Sequence, residues 1–272
     1  MASSIASSTF IAADGAGYEQ LMGRWSRRLA PLFVQFSEIQ SGGHILDVGC
    51  GTGVLSKELA KSPSIKAITG VDYSPIYVEY SKSHVVDKRI TFETGDASAL
   101  RFADNTFDHT AALLVLAFVG KPMDAVHEMV RVTKPGGTVA SAMWDFRGGA
   151  VFARLFWDTA AVIDPDAAER RKKAYIRPMT RPGDLANAWR EGGLKDVADG
   201  MLTIRMDYAN FADYWGAISG RDGPYSDYLN SLSSDDSIRL KDAVKAAFVD
   251  GEDDGPRSYA ATSWVVRGKK PA

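Results

Sequence analysis

Two kinds of apolar spacing alternate along the first half of the chain. Short runs at residues 45–48, 67–71 and 111–116 have too few polar interruptions for a strand with one wet face, and they suit strands buried on both sides. Between them, apolar residues recur at helical spacing. One such stretch covers 54–60; another runs to Ser83 from Ser74 and Pro75, an N-cap followed by proline at the first helical position; a third covers 124–132. Further strands are expected at 89–93, 138–143, 201–206 and 263–267, and further helices at 151–163, 184–190 and 237–248. Alternation of this kind predicts a parallel sheet with helices on its faces. Upstream, residues 18–36 place Leu21, Trp25, Leu29, Leu32, Phe33 and Phe36 on one helical face, with Pro31 expected to break the helix.

The stretch 44–56, HILDVGCGTGVLS, reads as strand, glycine turn, helix. In an open α/β sheet such turns lie at the carboxyl ends of the strands, where ligands bind. Gly49, Gly51 and Gly53 can take positive φ and let a ligand lie against the main chain, with main-chain amides as its expected grip. Asp47 puts a carboxylate beside the turn. A dinucleotide fingerprint would need glycine or alanine where Val54 stands, and a phosphate-binding P-loop would need the Gly-Lys-Ser/Thr ending that is missing here. Asp72 follows Gly53 by nineteen positions, at the end of the second apolar run, where a carboxylate can accept both hydrogen bonds of a ribose diol.

Asp47 and the G-x-G-x-G loop after it resemble motif I of class I S-adenosylmethionine (SAM)-dependent methyltransferases, with Asp72 as the next acidic residue of the pattern. The run Arg131-Val132-Thr133-Lys134-Pro135-Gly136-Gly137 resembles the turn before the fifth strand of their UbiE-like, "type 11" members. The resemblance covers roughly residues 44–145. It implies a Rossmann-like, seven-stranded, mostly parallel sheet with an antiparallel last strand, a lid helix at the N-terminus and a C-terminal helical, aromatic cap. It also implies SAM as cofactor, S-adenosylhomocysteine as product and methyl transfer to a small molecule. On that basis Asp47, Gly49, Cys50, Gly51, Gly53, Asp72 and Tyr73 belong to the cofactor site. Asp96 would face the adenine amino group with Ala97 offering an N–H, and Leu113 and Leu114 would line the methionine arm. Tyr18 and Arg24 are candidates for the methionine carboxylate, with Trp25 as core and Arg24 as surface the competing reading. Many relatives carry Asn or His where this chain has Ala117, so a polar catalytic group is missing there.

Methyl transfer from a sulfonium needs alignment and exclusion of water more than a dedicated acid, and aromatic faces tolerate a neighbouring cation. Met22, Trp25, Trp144 and Trp215 are therefore expected in the acceptor pocket. His44, His84, His109 and His127 all fall away from the strand carboxyl ends, which leaves Asp145 as the one placed candidate base, against a turn or N-cap role for it.

The remaining composition mainly excludes. Apolar content of 45% and charged content of 24% are ordinary for a globular chain of 272 residues. A net charge of −2 gives no electrostatic case for nucleic acid, and the basic run 170–173 reads as a solvated helix face. No run reaches the roughly 20 residues of a membrane span. A single cysteine, Cys50, fits a reducing, cytoplasmic compartment, and in the glycine turn it reads as a small filler rather than a nucleophile. No Cys/His spacing suggests a metal. Residues 1–17 are expected to be a flexible leader and 18–272 one methyltransferase domain. Within it, 18–40 would be lid helices, 41–145 the SAM-binding core, 146–260 the substrate cap and sixth strand, and 261–268 the last strand. Two alternatives remain at this stage, a SAM-binding protein without catalysis and an NAD(P)-dependent oxidoreductase. The oligomeric state is not legible.

Overall fold

Buried β-rich runs need partners on both edges, and here they find them in one sheet. The computed structural model describes residues 8–10, 12–39, 42–220 and 223–272. The described residues form seven strands: β1 Gly43–Val48, β2 Ile65–Asp72, β3 Ile90–Thr94, β4 Phe107–Leu113, β5 Thr133–Trp144, β6 Lys195–Tyr208 and β7 Arg257–Lys269. Their order is β3-β2-β1-β4-β5-β7-β6. The first five are parallel to one another, and β7 runs antiparallel to both β5 and β6. The order reverses between β1 and β4, which opens a crevice at their carboxyl ends.

The helices are α1 Gly15–Tyr18, α2 Arg24–Ser37, α3 Val54–Leu59, α4 Pro75–His84, α5 Pro122–Val132, α6 Val151–Ile163, α7 Pro165–Tyr175, α8 Asp184–Glu191, α9 Phe211–Ile218, α10 Pro224–Leu229 and α11 Ser234–Val249. α1 passes through a π-helical turn, Glu19–Gly23, directly into α2. Both faces of β1 are covered, as its unbroken apolar run requires. Ile45 packs with Phe33 of α2 and Leu55 and Leu59 of α3, while Leu46 and Val48 pack with Met129 and Val132 of α5 on the other side. Ser74 caps α4 by accepting from the Tyr77 N–H at 3.3 Å, with Pro75 at the first position. No helix among the described residues is long and apolar enough to cross a membrane.

Several expectations are corrected. Pro31 does not break α2: it sits on the exposed side, where the carbonyl deprived of its N–H partner can meet water. Leu32 points outward and is 37% exposed, so the buried face is Leu21, Trp25, Leu29 and Phe33. β6 and β7 extend well beyond 201–206 and 261–268 because they pair along almost their whole lengths. Of the leader 1–17, residues 1–7 and 11 lie outside the described residues, but the rest is held. Ser8 bridges Val119, the Thr9 N–H donates to the Phe118 carbonyl at 2.8 Å, and Asp14 caps α1. Three ring contacts, to Tyr18, Tyr77 and Phe118, fix Phe10 across the crevice.

Candidate cofactor and acceptor site

The glycine turn begins where β1 ends. Gly49, Gly51 and Gly53 have φ of +69°, +51° and +81°. At Gly49 a second demand is added: a Cβ there would stand 2.2 Å from Val115 Cγ2, so the turn and the exit of β4 touch backbone to side chain. Leu114, in that exit, itself holds a left-handed conformation at φ +65°, fixed by its N–H to the Ala142 carbonyl at 2.8 Å. The amides of the turn are spent within the protein. Gly49 and Cys50 N–H donate to the Val71 carbonyl, Gly53 N–H to the Cys50 carbonyl, and Gly51 N–H to Asp72 Oδ2 at 2.8 Å. The expected grip by main-chain amides is thereby corrected for Gly49, Cys50, Gly51 and Gly53, whose N–H groups shape the turn.

Two acids flank the turn in different states of satisfaction. Asp72 accepts at both oxygens, from Gly51 N–H and from Ser74 N–H, each at 2.8 Å. Burial raises its pKa, and those two bonds oppose the rise. Asp47 is fully buried, and its pKa is pushed up to about 7, chiefly by burial. The Ser56 hydroxyl donates to Oδ2 at 2.6 Å, but Oδ1 has no partner among the described residues. A buried carboxylate oxygen left without a donor is costly in a finished core and suits a cationic ligand group. Cys50 is buried against Val78 and Phe92 with its thiol pKa raised by burial, which fits a filler.

The crevice opens into a cavity of about 330 Å³. Its floor takes Tyr18, Met22, Gly49, Gly51, Asp72 and Tyr73, and its far side Asp96, Ala97, Leu113, Leu114 and Trp144. Asp96 is braced by Ser98, whose N–H and hydroxyl both donate to Oδ1. A small side cavity adjoins it, lined by Asp47 and Cys50 and sharing Tyr18, Gly49, Gly51 and Leu113 with the first.

Five candidates are brought to neither cavity. Gly53, its N–H bonded to the Cys50 carbonyl at the head of α3, is one. Arg24 turns away to Asp213 of α9 at 2.8 Å and stacks over Trp25 and Tyr208. Trp25 is core, 5.2 Å from Tyr208, and Trp215 packs on Phe211 and Phe156. Asp145 accepts the N–H groups of Arg147 and Gly148 in the turn after β5, which is the work of a turn residue. None of the four histidines lines the cavity. Among the described residues no group of His, Cys, Asp and Glu could hold a metal.

The sequence reading missed most of the roof. Phe146, Phe152, Trp157 and Tyr225 line it, Trp157 and Tyr225 stacked at 5.4 Å, and Phe10 and Phe118 close one side. The aromatic helix near 151–163 was visible as such, but nothing local marks which of its rings face inward. Arg170, Lys173 and Arg177 also line the roof, so the basic run is not simply a solvated face.

Comparison with known proteins agrees with this geometry. The family profile described as "Methyltransferase domain" matches residues 46–141. Over 189 residues the chain is 35% identical to a ubiquinone/menaquinone biosynthesis C-methyltransferase, UbiE, of Bdellovibrio bacteriovorus, covering 68% of this chain and 78% of that protein. It is 38% identical over 154 residues to a demethylmenaquinone methyltransferase of Renibacterium salmoninarum, covering 56% of this chain and 63% of that one. Among solved structures it shares its fold with a putative methyltransferase from an antibiotic biosynthesis pathway of Anabaena variabilis. There the TM-score is 0.62 at 16% identity, over 89% of this chain and 96% of that one.

Proposed function

Since the chain belongs to the UbiE-like SAM-dependent methyltransferases, we propose that it methylates a small, flat, oxygen-bearing aromatic acceptor held under the roof formed by Trp144, Phe146, Phe152 and Trp157. Family membership settles the enzyme class and the methyl donor, and removes the oxidoreductase and the non-catalytic sensor. The residues present fit the donor. The unpartnered Asp47 Oδ1 suits the ammonium of its methionine arm. Each Asp72 oxygen keeps a lone pair beyond its one N–H bond for a ribose hydroxyl, and Asp96 stands one strand further along for the adenine amino group. When bound, the sulfonium supplies an electrophilic methyl carbon.

The chain's own part is alignment and exclusion of water. Rings at the roof present faces to a planar acceptor. Trp144 is one of the lining residues, and its indole N–H is buried without a partner among the described residues. With no histidine on the walls, a ring that already ionises or is electron-rich needs least help. The C–H or O–H proton displaced by the methyl group then leaves to solvent. Relatives named for ubiquinone, menaquinone and demethylmenaquinone are consistent with such an acceptor. A cytoplasmic location is part of the same proposal.

The observation that carries the reading is one cavity holding both Asp72 and the aromatic roof. The test is transfer of labelled methyl from SAM to a panel of demethylmenaquinol, catechols, hydroxybenzoates, aliphatic amines and aliphatic alcohols. Labelled aromatic products are expected, and transfer confined to the aliphatic members overturns the reading.

A further inference from the structure

The aromatic roof has a charged rim that methyl transfer to a neutral ring would not require. Arg170, Lys173 and Arg177 are spaced three and four residues apart along α7 and its exit, and all three line the cavity. Their states differ. Arg170 is paired with Asp166 at 2.7 Å and lies over the Tyr228 ring. Neighbouring Arg171 and Lys172, which point elsewhere, are paired with Asp158 and Glu169. Lys173 and Arg177 have no carboxylate partner among the described residues. Arg177 is half-buried, with its guanidinium 4.6 Å above the Phe118 ring and one N–H to Thr9 Oγ1 at 3.1 Å, neither of which neutralises it. The acids that share the cavity are Asp72 and Asp96 on the cofactor side and Asp227 at the roof; none is within ion-pair distance of these two cations. A half-buried cation facing an apolar chamber with no counter-charge is an arrangement completed by an anion.

We propose that the acceptor carries a carboxylate, received by Lys173 and Arg177 while its ring lies among Trp157, Tyr225 and Phe152. This rests on the aromatic-acceptor reading above and narrows it to an anionic aromatic acid. It also sets this chain apart from an enzyme whose acceptor is a neutral ring. Lys173 and Arg177 would then hold the carboxylate end of the acceptor and so orient its ring.

The test uses full-length protein saturated with S-adenosylhomocysteine and a matched pair of probes, 2-naphthoate and 2-naphthamide. Binding is read by quenching of tryptophan fluorescence and by calorimetry. Naphthoate is expected to bind at least about ten-fold more tightly than naphthamide, the scale of one charge-assisted hydrogen bond. Lys173→Gln is on an exposed position and should fold normally; it should remove part of that preference, and Lys173→Gln with Arg177→Gln nearly all of it. S-adenosylhomocysteine affinity should be unchanged in both. Equal binding of the two probes, binding of neither, or a preference that survives the double variant overturns the proposal. So does a loss of S-adenosylhomocysteine affinity, which would put the cations on the cofactor's own carboxylate. Because the probes are not substrates, failure here leaves the labelled-methyl result standing on its own.

Discussion

The floor and the roof of the cavity are built in opposite ways. Apart from Tyr18 and Met22, the floor comes from short turns at the strand ends, after β1, β2 and β4, and is defined by backbone: three positive-φ glycines, amides bonded back to Val71 and Asp72, and one left-handed leucine. The roof comes from the strap at residues 8–10, the exit of β5, and helices α6, α7 and α10, and is defined by side chains stacked on one another. A floor of that kind tolerates little change and serves one ligand. A roof of that kind can be repacked ring by ring, so the acceptor can differ between relatives while the methyl donor stays the same.

The comparison is broken most severely at Gly49. Gly49→Ala should cost about 2–5 kcal/mol of stability, adding the left-handed penalty to overpacking against Val115, whereas Gly51→Ala, with nothing nearer than Tyr18 at 4.0 Å, should cost only about 1–2 kcal/mol. Denaturant midpoints of the two variants check this, and equal losses would mean that the turn is not wedged against β4. Next in size, Asp72→Ala should weaken SAM binding by about 1.5–3 kcal/mol, the worth of charged hydrogen bonds. Trp157→Leu should instead leave SAM affinity alone and lower kcat/KM for the aromatic acceptor by about ten-fold. Calorimetry and steady-state kinetics on the pair would show whether floor and roof are energetically separate.

Asp47 sharpens the contrast by pH. Its folded pKa, about 7, lies above its ordinary value of 3.8, so the folded state holds the extra proton between those values. Its contribution to stability is lost as pH rises through that window and stays lost above it. Asp47→Asn should therefore be more stable than the parent at pH 8, by an order of 1–3 kcal/mol. It should also lack the rise in SAM affinity that the parent shows from pH 6 to about 7.5, as the carboxylate that meets the ammonium ionises. A parent whose affinity is flat across that range would remove Asp47 from the cofactor site. The smallest effect belongs to Asp145: Asp145→Ala should cost no more than about 1 kcal/mol of stability and leave turnover within about two-fold, because among the described residues its carboxylate bonds the Arg147 and Gly148 amides and no others.

What was legible follows the same division. The glycine turn, Asp72 and the Ser74-Pro75 cap are each decided within a few residues, by φ requirements and by N–H groups that need an acceptor, so they could be read before any fold was known. Arg24 could not, because its partner Asp213 lies 189 residues away. Trp25 stood at helical spacing with Leu21 and Leu29, which says that it lies on a buried face but not which neighbour that face meets, and nothing local said which way Trp215 would turn. The basic run escaped for a related reason: helical spacing puts Arg170 and Lys173 on one face, and only the docking of α7 over the crevice brings them to the cavity beside Arg177.

By itself, then, the sequence determined the alternation of buried strands and amphipathic helices and the one turn that only glycines can make, since both depend on local backbone and short-range spacing. The tertiary structure decided the anchoring of residues 8–10 across the crevice, the withdrawal of Arg24, and the rings and cations that close over the cavity. Those depend on contacts between segments far apart in the chain, and side-chain periodicity carries no record of the partner it will find.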